Sequence, residues 1–415
     1  MKHELQSLMA REGFDALWVA GSAKNNPAMV YLTGGGHITG ADLIIKRGED
    51  PVLVCGSMER EEAASTGLEV RTYSQYGYRE LLKEHQDDLQ EALARLSQRI
   101  LSDLGVVRGR VALYGNMEIS QGWGVYQRLD AIMPELTLIG EGPNSILLEA
   151  RATKEPGEID RIKKMGSITT EVVAKTAAYL QSRQVNSQES LLDPDGSAVT
   201  VGKVKSQIRL WLAERGAEAA EGIIFAVGRD AGFPHSAGKD ADAVCLGKTI
   251  IFDLFPREIG GGYFFDFTRT WCLGYAPELE QRIYDHVHSV YQRVLADVQV
   301  DSYAPDLQEK TCQYFEDLGH KTIRQDSRLE SGYVHSVGHG LGLAVHERPR
   351  FGRGATQADR LIPGTVVTIE PGLYYPEQGL GCRLEDTVWV RPDGEVELLA
   401  GYPYQLVLPM ENWQG

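Results

Sequence analysis

Four apolar segments in the second half of the chain each carry one carboxylate where a strand interior is expected to be apolar. They are Asp253 in TIIFDLF, Asp266 in YFFDFTRT, Glu370 in VVTIEPG and Glu385 in RLEDTVWV. Strand side chains alternate between two faces with period two. Leu384, Val388 and Val390 therefore share one face, with Arg383, Glu385 and Thr387 on the other; Asp266, Thr268 and Thr270 likewise share a face. The pattern lets the four acids project from neighbouring strands toward one polar pocket. An unpaired buried carboxylate costs several kcal/mol even after relaxation. The two nearby arginines, Arg269 and Arg383, cannot satisfy four of them. Taken singly, each acid reads as part of an ordinary ion pair or as an exposed strand end. Taken together, and provided they converge, they call for a divalent metal.

Histidines extend the pattern. Four of the ten lie in two Gly-rich contexts: His235 in GFPHSAG, and His335, His339 and His346 in VHSVGHGLGLAVHE. On a helix the i, i+4 spacing of His335 and His339 would mimic a zinc motif. The intervening SVG and following GLG oppose a helix, and position 336 is Ser where H-E-x-x-H requires Glu. One of the three reads as a ligand, with glycines allowing close backbone approach. Four carboxylates and one imidazole form an oxygen-rich set. It favours Mn, Co, Fe or Zn in a two-metal site over structural zinc or copper. Such a site can hold a bridging hydroxide and polarise a carbonyl for hydrolysis.

The elements that must position these residues read as two domains, 1–150 and 151–415. In the first, residues 1–12 show helical spacing of Leu5, Leu8 and Met9. ALWVAG, MVYLTGG, ADLIIKRG and PVLVCG read as strands, followed by a helix over about 78–104 and strands at 107–115 and 136–140. The alternation predicts an α/β domain. A helix then opens at Pro156, with Ile159, Ile162, Met165, Ile168 and Val172 on one face, and another covers about 203–215. The remainder is strand-rich, with helices at about 277–298 and 305–319.

The 415 residues carry 42 Lys+Arg against 58 Asp+Glu, a net charge of −16. Such acidity excludes nucleic acid as the main partner. No apolar run approaches the ~18 residues of a membrane span, and MKHELQSLMAREGFDA lacks a signal-peptide apolar core. The five cysteines are scattered without a C-x-x-C pair, which predicts a reducing, cytoplasmic setting.

The order Asp…Asp…His…Glu…Glu resembles that of the pita-bread metallopeptidase family, which includes methionine aminopeptidase, aminopeptidase P, prolidase and the metal-free creatinase. The matching segments are RATKEPGEID, the PH of GFPHS, DLFPREIGGGYFFDFTRT, HSVGHGLGLAVHE, TIEPGLYYP and GCRLEDTVWV, spanning 151–390. YLTG at 31–34 resembles the N-terminal domain of the aminopeptidase P, prolidase and creatinase branch. The resemblance implies an N-terminal creatinase-like α/β domain followed by an α+β pita-bread catalytic domain.

It further implies two divalent metal ions per subunit, Mn foremost, with Co, Zn or Fe as alternatives. Asp253 would chelate one metal and Asp266 would bridge both; His339 and Glu370 would complete the other, with Glu385 as second bridge. Glu370 would be the general base, His235 and His346 would stabilise the tetrahedral intermediate, His335 would line a proline pocket, and Arg383 would orient the cluster. The form of HGLGLAVHERP is similar to that of Xaa-Pro peptidases, implying a small peptide substrate with proline second and a homodimer. Arg348 and Arg350, in HERPRFGRG, are candidates to bind a free C-terminal carboxylate, with a solvated loop pair as the competing reading. Asp266 follows Asp253 by thirteen positions, and family members have a shorter turn; with bulky Phe264 and Phe265 this leaves room for a non-proline substrate. The alternatives are a hydrolase or lyase of another kind on the same scaffold, as in creatinase, and a non-catalytic binding relative.

Overall fold

The computed structural model describes residues 4–413. The chain separates into two compact units: one runs to Arg151 and includes Gly260–Gly262, the other comprises Ala152–Ile259 and Tyr263 onward.

In the first unit α1 (Glu4–Glu12), α2 (Pro27–Thr33), α3 (Arg60–Ala64), α4 (Tyr78–Glu84), α5 (Leu89–Asp103), α6 (Ile119–Ile132) and α7 (Ile146–Arg151) surround one sheet. Its strands are β1 (Ala16–Gly21), β2 (Ala41–Lys46), β3 (Val52–Cys55), β4 (Glu69–Thr72), β5 (Gly109–Gly115) and β6 (Leu136–Gly140), ordered β4-β3-β2-β1-β5-β6. Period-two alternation divides the core between the faces of this sheet. Leu17 and Val19 of β1 enter one apolar cluster; Ala16, Trp18 and Ala20 enter the other.

Two local expectations change. MVYLTGG is mostly helix, because Asn26 caps α2 by accepting the Met29 N–H at 3.3 Å, Pro27 pre-sets the first turn, and Gly34 closes it in a left-handed conformation. The stretch 78–104 is two helices, interrupted where Gln86 and Asp87 adopt positive φ and Asp88 caps α5.

The second unit begins with α8 (Pro156–Gln181), whose N-terminus is closed by reciprocal bonds between Glu155 and Glu158. Then come the short pair β7 (Gln184–Val185) and β8 (Leu191–Leu192), α9 (Val201–Ala213), β9 (Ala217–Glu218), β10 (Ile224–Val227), β11 (Thr249–Asp253), β12 (Arg257–Glu258) and β13 (Thr268–Leu273). Helices α10 (Glu278–Asp297) and α11 (Ala304–Asp317) lead into β14 (His339–Gly340), β15 (Glu347–Arg350), β16 (Val366–Ile369), β17 (Gly372–Tyr375), β18 (Leu380–Arg383), β19 (Asp386–Val390), β20 (Val396–Leu398) and β21 (Val407–Leu408).

Two main sheets result, β10-β11-β13-β21 and β15-β14-β16-β19-β20, with β17–β18 as a separate hairpin. The sheets join where Thr268 bridges Glu385 and where the Thr387 hydroxyl donates to the Asp266 carbonyl at 2.8 Å. The apolar side of α10, with Ile283, Val287, Val290 and Val294, packs in one buried cluster with Val367, Ile369, Val388 and Val390. Phe264 and Phe265 are fully buried, and Phe265 packs so closely on α8 that a Cβ at Gly166 would lie 2.7 Å from its ring. No helix among the described residues is long and apolar enough to cross a membrane.

Candidate metal centre and active site

Each acid reaches the site from a strand end, where regular pairing stops and a side chain can turn inward. Asp253 ends β11 opposite Thr268, Glu370 follows β16, and Glu385 precedes β19. Asp266 sits just before β13, its Oδ1 accepting the Phe267 N–H at 2.9 Å. His339 lies in β14. Gly338, its neighbour, has no room for a side chain, since a Cβ there would fall 2.1 Å from the Thr368 carbonyl.

These residues line one cavity of about 550 Å³, with His235, His335, His346 and Arg383 also on its wall. Asp266, His339 and Glu385 each offer a ligand atom within 4.8 Å of one another. His339 Nε2 stands 3.7 Å from Asp266 Oδ2 and 3.5 Å from Glu370 Oε1. His339 Nδ1 donates to the Gly340 carbonyl at 3.1 Å, which leaves the Nε2 lone pair facing the carboxylates. Burial lowers the His339 pKa to about 3, so its imidazole is neutral, as a metal ligand requires.

The acids are electrostatically strained. Burial, then the charges of Asp253 and Glu370, push the Asp266 carboxyl well above the ordinary carboxylate range. Burial and Glu385 do the same to Glu370; burial, Asp266 and Asp253 do it to Glu385. Arg383 reaches only part of this charge: its Nη2 donates to Asp253 Oδ2 at 2.6 Å. The other oxygen, Asp253 Oδ1, is buried without a hydrogen-bond partner. An orphaned carboxylate oxygen, a set of mutually repelling acids and a neutral imidazole lone pair fit divalent cations.

A second layer fixes this cluster. Thr268 Oγ1 donates to Glu385 Oε2 at 2.7 Å. His335 Nδ1 donates to the Ser336 carbonyl at 2.7 Å, so its Nε2 accepts from the Tyr374 hydroxyl at 2.8 Å. That hydroxyl in turn accepts from Arg383 Nη1 at 2.6 Å. Burial lowers the His335 pKa to about 3. His235 and His346 are exposed on the cavity wall, and the His346 ring lies 4.3 Å from that of His339.

The structure places several residues away from the cavity. Arg269 does not serve the carboxylate cluster: its Nη2 donates at 2.9 Å to Asp386, whose other oxygen accepts from the Tyr291 hydroxyl at 2.6 Å. Arg348 is not poised for a substrate carboxylate. Its guanidinium grips Asp359 through Nε and Nη2, both at 3.0 Å, is buried, and does not line the cavity. Arg350 is likewise absent from the cavity wall, its backbone N–H held by the same Asp359 at 3.0 Å. Phe264 and Phe265 also stay out of the cavity. Sequence reasoning missed Tyr374, because in GLYY a hydroxyl-bearing ring has the same apolar pattern as a core aromatic, and it missed Glu221, which lies on the cavity wall.

Comparison with known proteins adds an independent line. The Xaa-Pro dipeptidase of Pyrococcus furiosus is 25% identical over 406 residues, covering 96% of this chain and 98% of that protein. Among solved structures, an Xaa-Pro dipeptidase from Bacillus anthracis superposes with a TM-score of 0.75 at 20% identity, over 97% of this chain and 98% of the other. An X-Pro aminopeptidase from Thermotoga maritima gives a TM-score of 0.70 at 22% identity, over 97% and 98%. The creatinase/prolidase N-terminal domain model matches residues 2–146. The metallopeptidase family M24 model matches residues 160–392, more than half of the chain and every carboxylate and histidine of the cavity cluster, and the chain belongs to that family.

Proposed function

We propose that this chain hydrolyses Xaa-Pro peptide bonds with two divalent metal ions per subunit, Mn foremost. The observation that carries the reading is the meeting of three buried acids, the part-buried Glu370 and a neutral imidazole in one cavity, with Asp253 Oδ1 left unpartnered. Similarity to an Xaa-Pro dipeptidase along almost the full length of both chains supports the proline specificity. Asp253, Asp266, His339, Glu370 and Glu385 would hold the ions, which when bound supply Lewis-acid polarisation of the peptide carbonyl and make a water nucleophile more acidic.

The chain's own groups do the rest. Glu370, whose proton affinity burial raises, takes the proton of the attacking water. His346 and His235 donate to the carbonyl oxygen as it gains charge. His335, held by Tyr374, forms a wall for the proline ring, and Arg383 keeps Asp253 in place while sharing the same tyrosine hydroxyl. An Xaa-Pro bond has no amide hydrogen and a rigid ring, so an apolar wall such as Ile223, Ile224, Phe255 and Val345 suits it better than a hydrogen-bonding one. The five cysteines are unpaired, which supports a reducing, cytoplasmic setting, and the homodimer implied by the family resemblance completes the proposal.

The test is hydrolysis by Mn- or Co-loaded protein of paired substrates, Xaa-Pro against Xaa-Ala dipeptides, and of longer peptides led by Xaa-Pro. Release of proline or of the first residue from the Xaa-Pro members alone is expected. Equal turnover of the Xaa-Ala partners would overturn the proline assignment, and inactivity on every peptide with both metals bound would overturn the peptidase reading.

A further inference from the structure

Glu347 directly follows His346, yet its carboxylate does not enter the cavity. It folds back beneath the bend that joins His339 to His346. Oε1 accepts the backbone N–H groups of Leu343 at 2.8 Å and Ala344 at 3.2 Å, and Oε2 accepts from Lys154 Nζ at 3.2 Å. Both side chains of this ion pair are buried, at 1% exposure for Lys154 and 2% for Glu347. The bend is shaped around the carboxylate: a Cβ at Gly342 would lie 2.5 Å from Glu347 Oε2. The Gly342 carbonyl accepts the Phe264 N–H at 2.8 Å, which ties the bend to the segment that leads into Asp266. Lys154 is itself anchored before α8, its N–H donating to the Gly364 carbonyl at 2.7 Å.

We propose that Lys154 is a positioning residue that sets His346 against the metal cluster, acting through the Glu347 carboxylate. The bend carries His339 at one end and His346 at the other, so whatever fixes its backbone fixes the distance between the two rings. Two N–H groups converging on one oxygen do that, and a buried carboxylate stays in place only while a cation accompanies it. A neutral glutamine oxygen could accept the same two N–H groups without needing Lys154, which separates the pin from its charge. The inference rests on the reading of His346 as a residue that acts on the substrate.

The experiment compares full-length, Mn-loaded K154M, E347A and K154M/E347Q with the unmodified protein, well below their unfolding temperatures. It records kcat and KM for an Xaa-Pro dipeptide, bound metal, and amide hydrogen exchange over 341–347. K154M is expected to lose roughly 10- to 100-fold in kcat, with KM and metal content little changed and faster exchange at Leu343 and Ala344. K154M/E347Q is expected to recover most of the rate and the slow exchange, whereas E347A recovers neither. Unchanged kcat in K154M, or a double variant no better than the single one, would overturn the proposal. If K154M does not fold, the double variant decides by the same two readouts. If the unmodified protein cleaves no Xaa-Pro peptide, the peptidase reading falls, and unchanged exchange in K154M would overturn the pin separately.

Discussion

Asp266 and Glu385 share their surroundings with every other acid of the cluster, so removing charge from either weakens the whole site. Asp266→Asn and Glu385→Gln are each expected to lower bound metal and peptidase activity together, read by elemental analysis and turnover on one preparation. Glu370→Gln differs: it keeps an oxygen but removes the proposed base, so it is expected to lose about 10²–10⁴-fold in kcat even where metal survives. A rate near that of the unmodified protein would assign the base elsewhere. Arg348→Met tests the reassignment of that arginine. It strands the fully buried Asp359, so unfolding in denaturant should show a loss of about 3–5 kcal/mol, with KM for dipeptides unchanged. The acids and His339 were legible because a carboxylate in an apolar strand is a costly anomaly. Tyr374 was not, since nothing in its spacing separates it from a core ring. Arg348 was misread because its partner, Asp359, arrives from a loop eleven residues on.

At the level of elements, the strand ends matter more than the strands. Regular pairing holds β11, β13, β16 and β19 in register, and the acids proposed as ligands sit where that register runs out. Gly338→Ala would drive a Cβ into the Thr368 carbonyl, and the chain must shift beside His339. Weaker metal binding by roughly tenfold or more is expected, measured by titration of the metal-free variant. The long helix α8 was readable from apolar periodicity and a proline start. The strand expected at MVYLTGG failed for a physical reason: a side-chain cap and a first-turn proline outweigh the β propensity of three residues.

Over the whole molecule, the net charge of −16 is partly a property of the site, because the four clustered acids and Glu221 are concentrated in one cavity. Asp266, Glu370 and Glu385 hold protons more tightly folded than unfolded when no metal is present. The folded state then binds more protons, so metal-free stability falls as pH rises above the ordinary carboxylate range of about 4 toward the raised values. In the proposed site, bound metal would supply the missing charge. The gain in Tm on adding Mn is therefore expected to be larger at about pH 8 than at about pH 5, and an equal gain at both would mean that the acids are not coupled through the metal. The most direct test titrates the chelated protein with Mn while following proline release from an Xaa-Pro dipeptide. The expected result is no release before metal is added and a plateau at about two equivalents per chain; full activity in the chelated protein, or none at saturation, would contradict metal-dependent Xaa-Pro hydrolysis at this site.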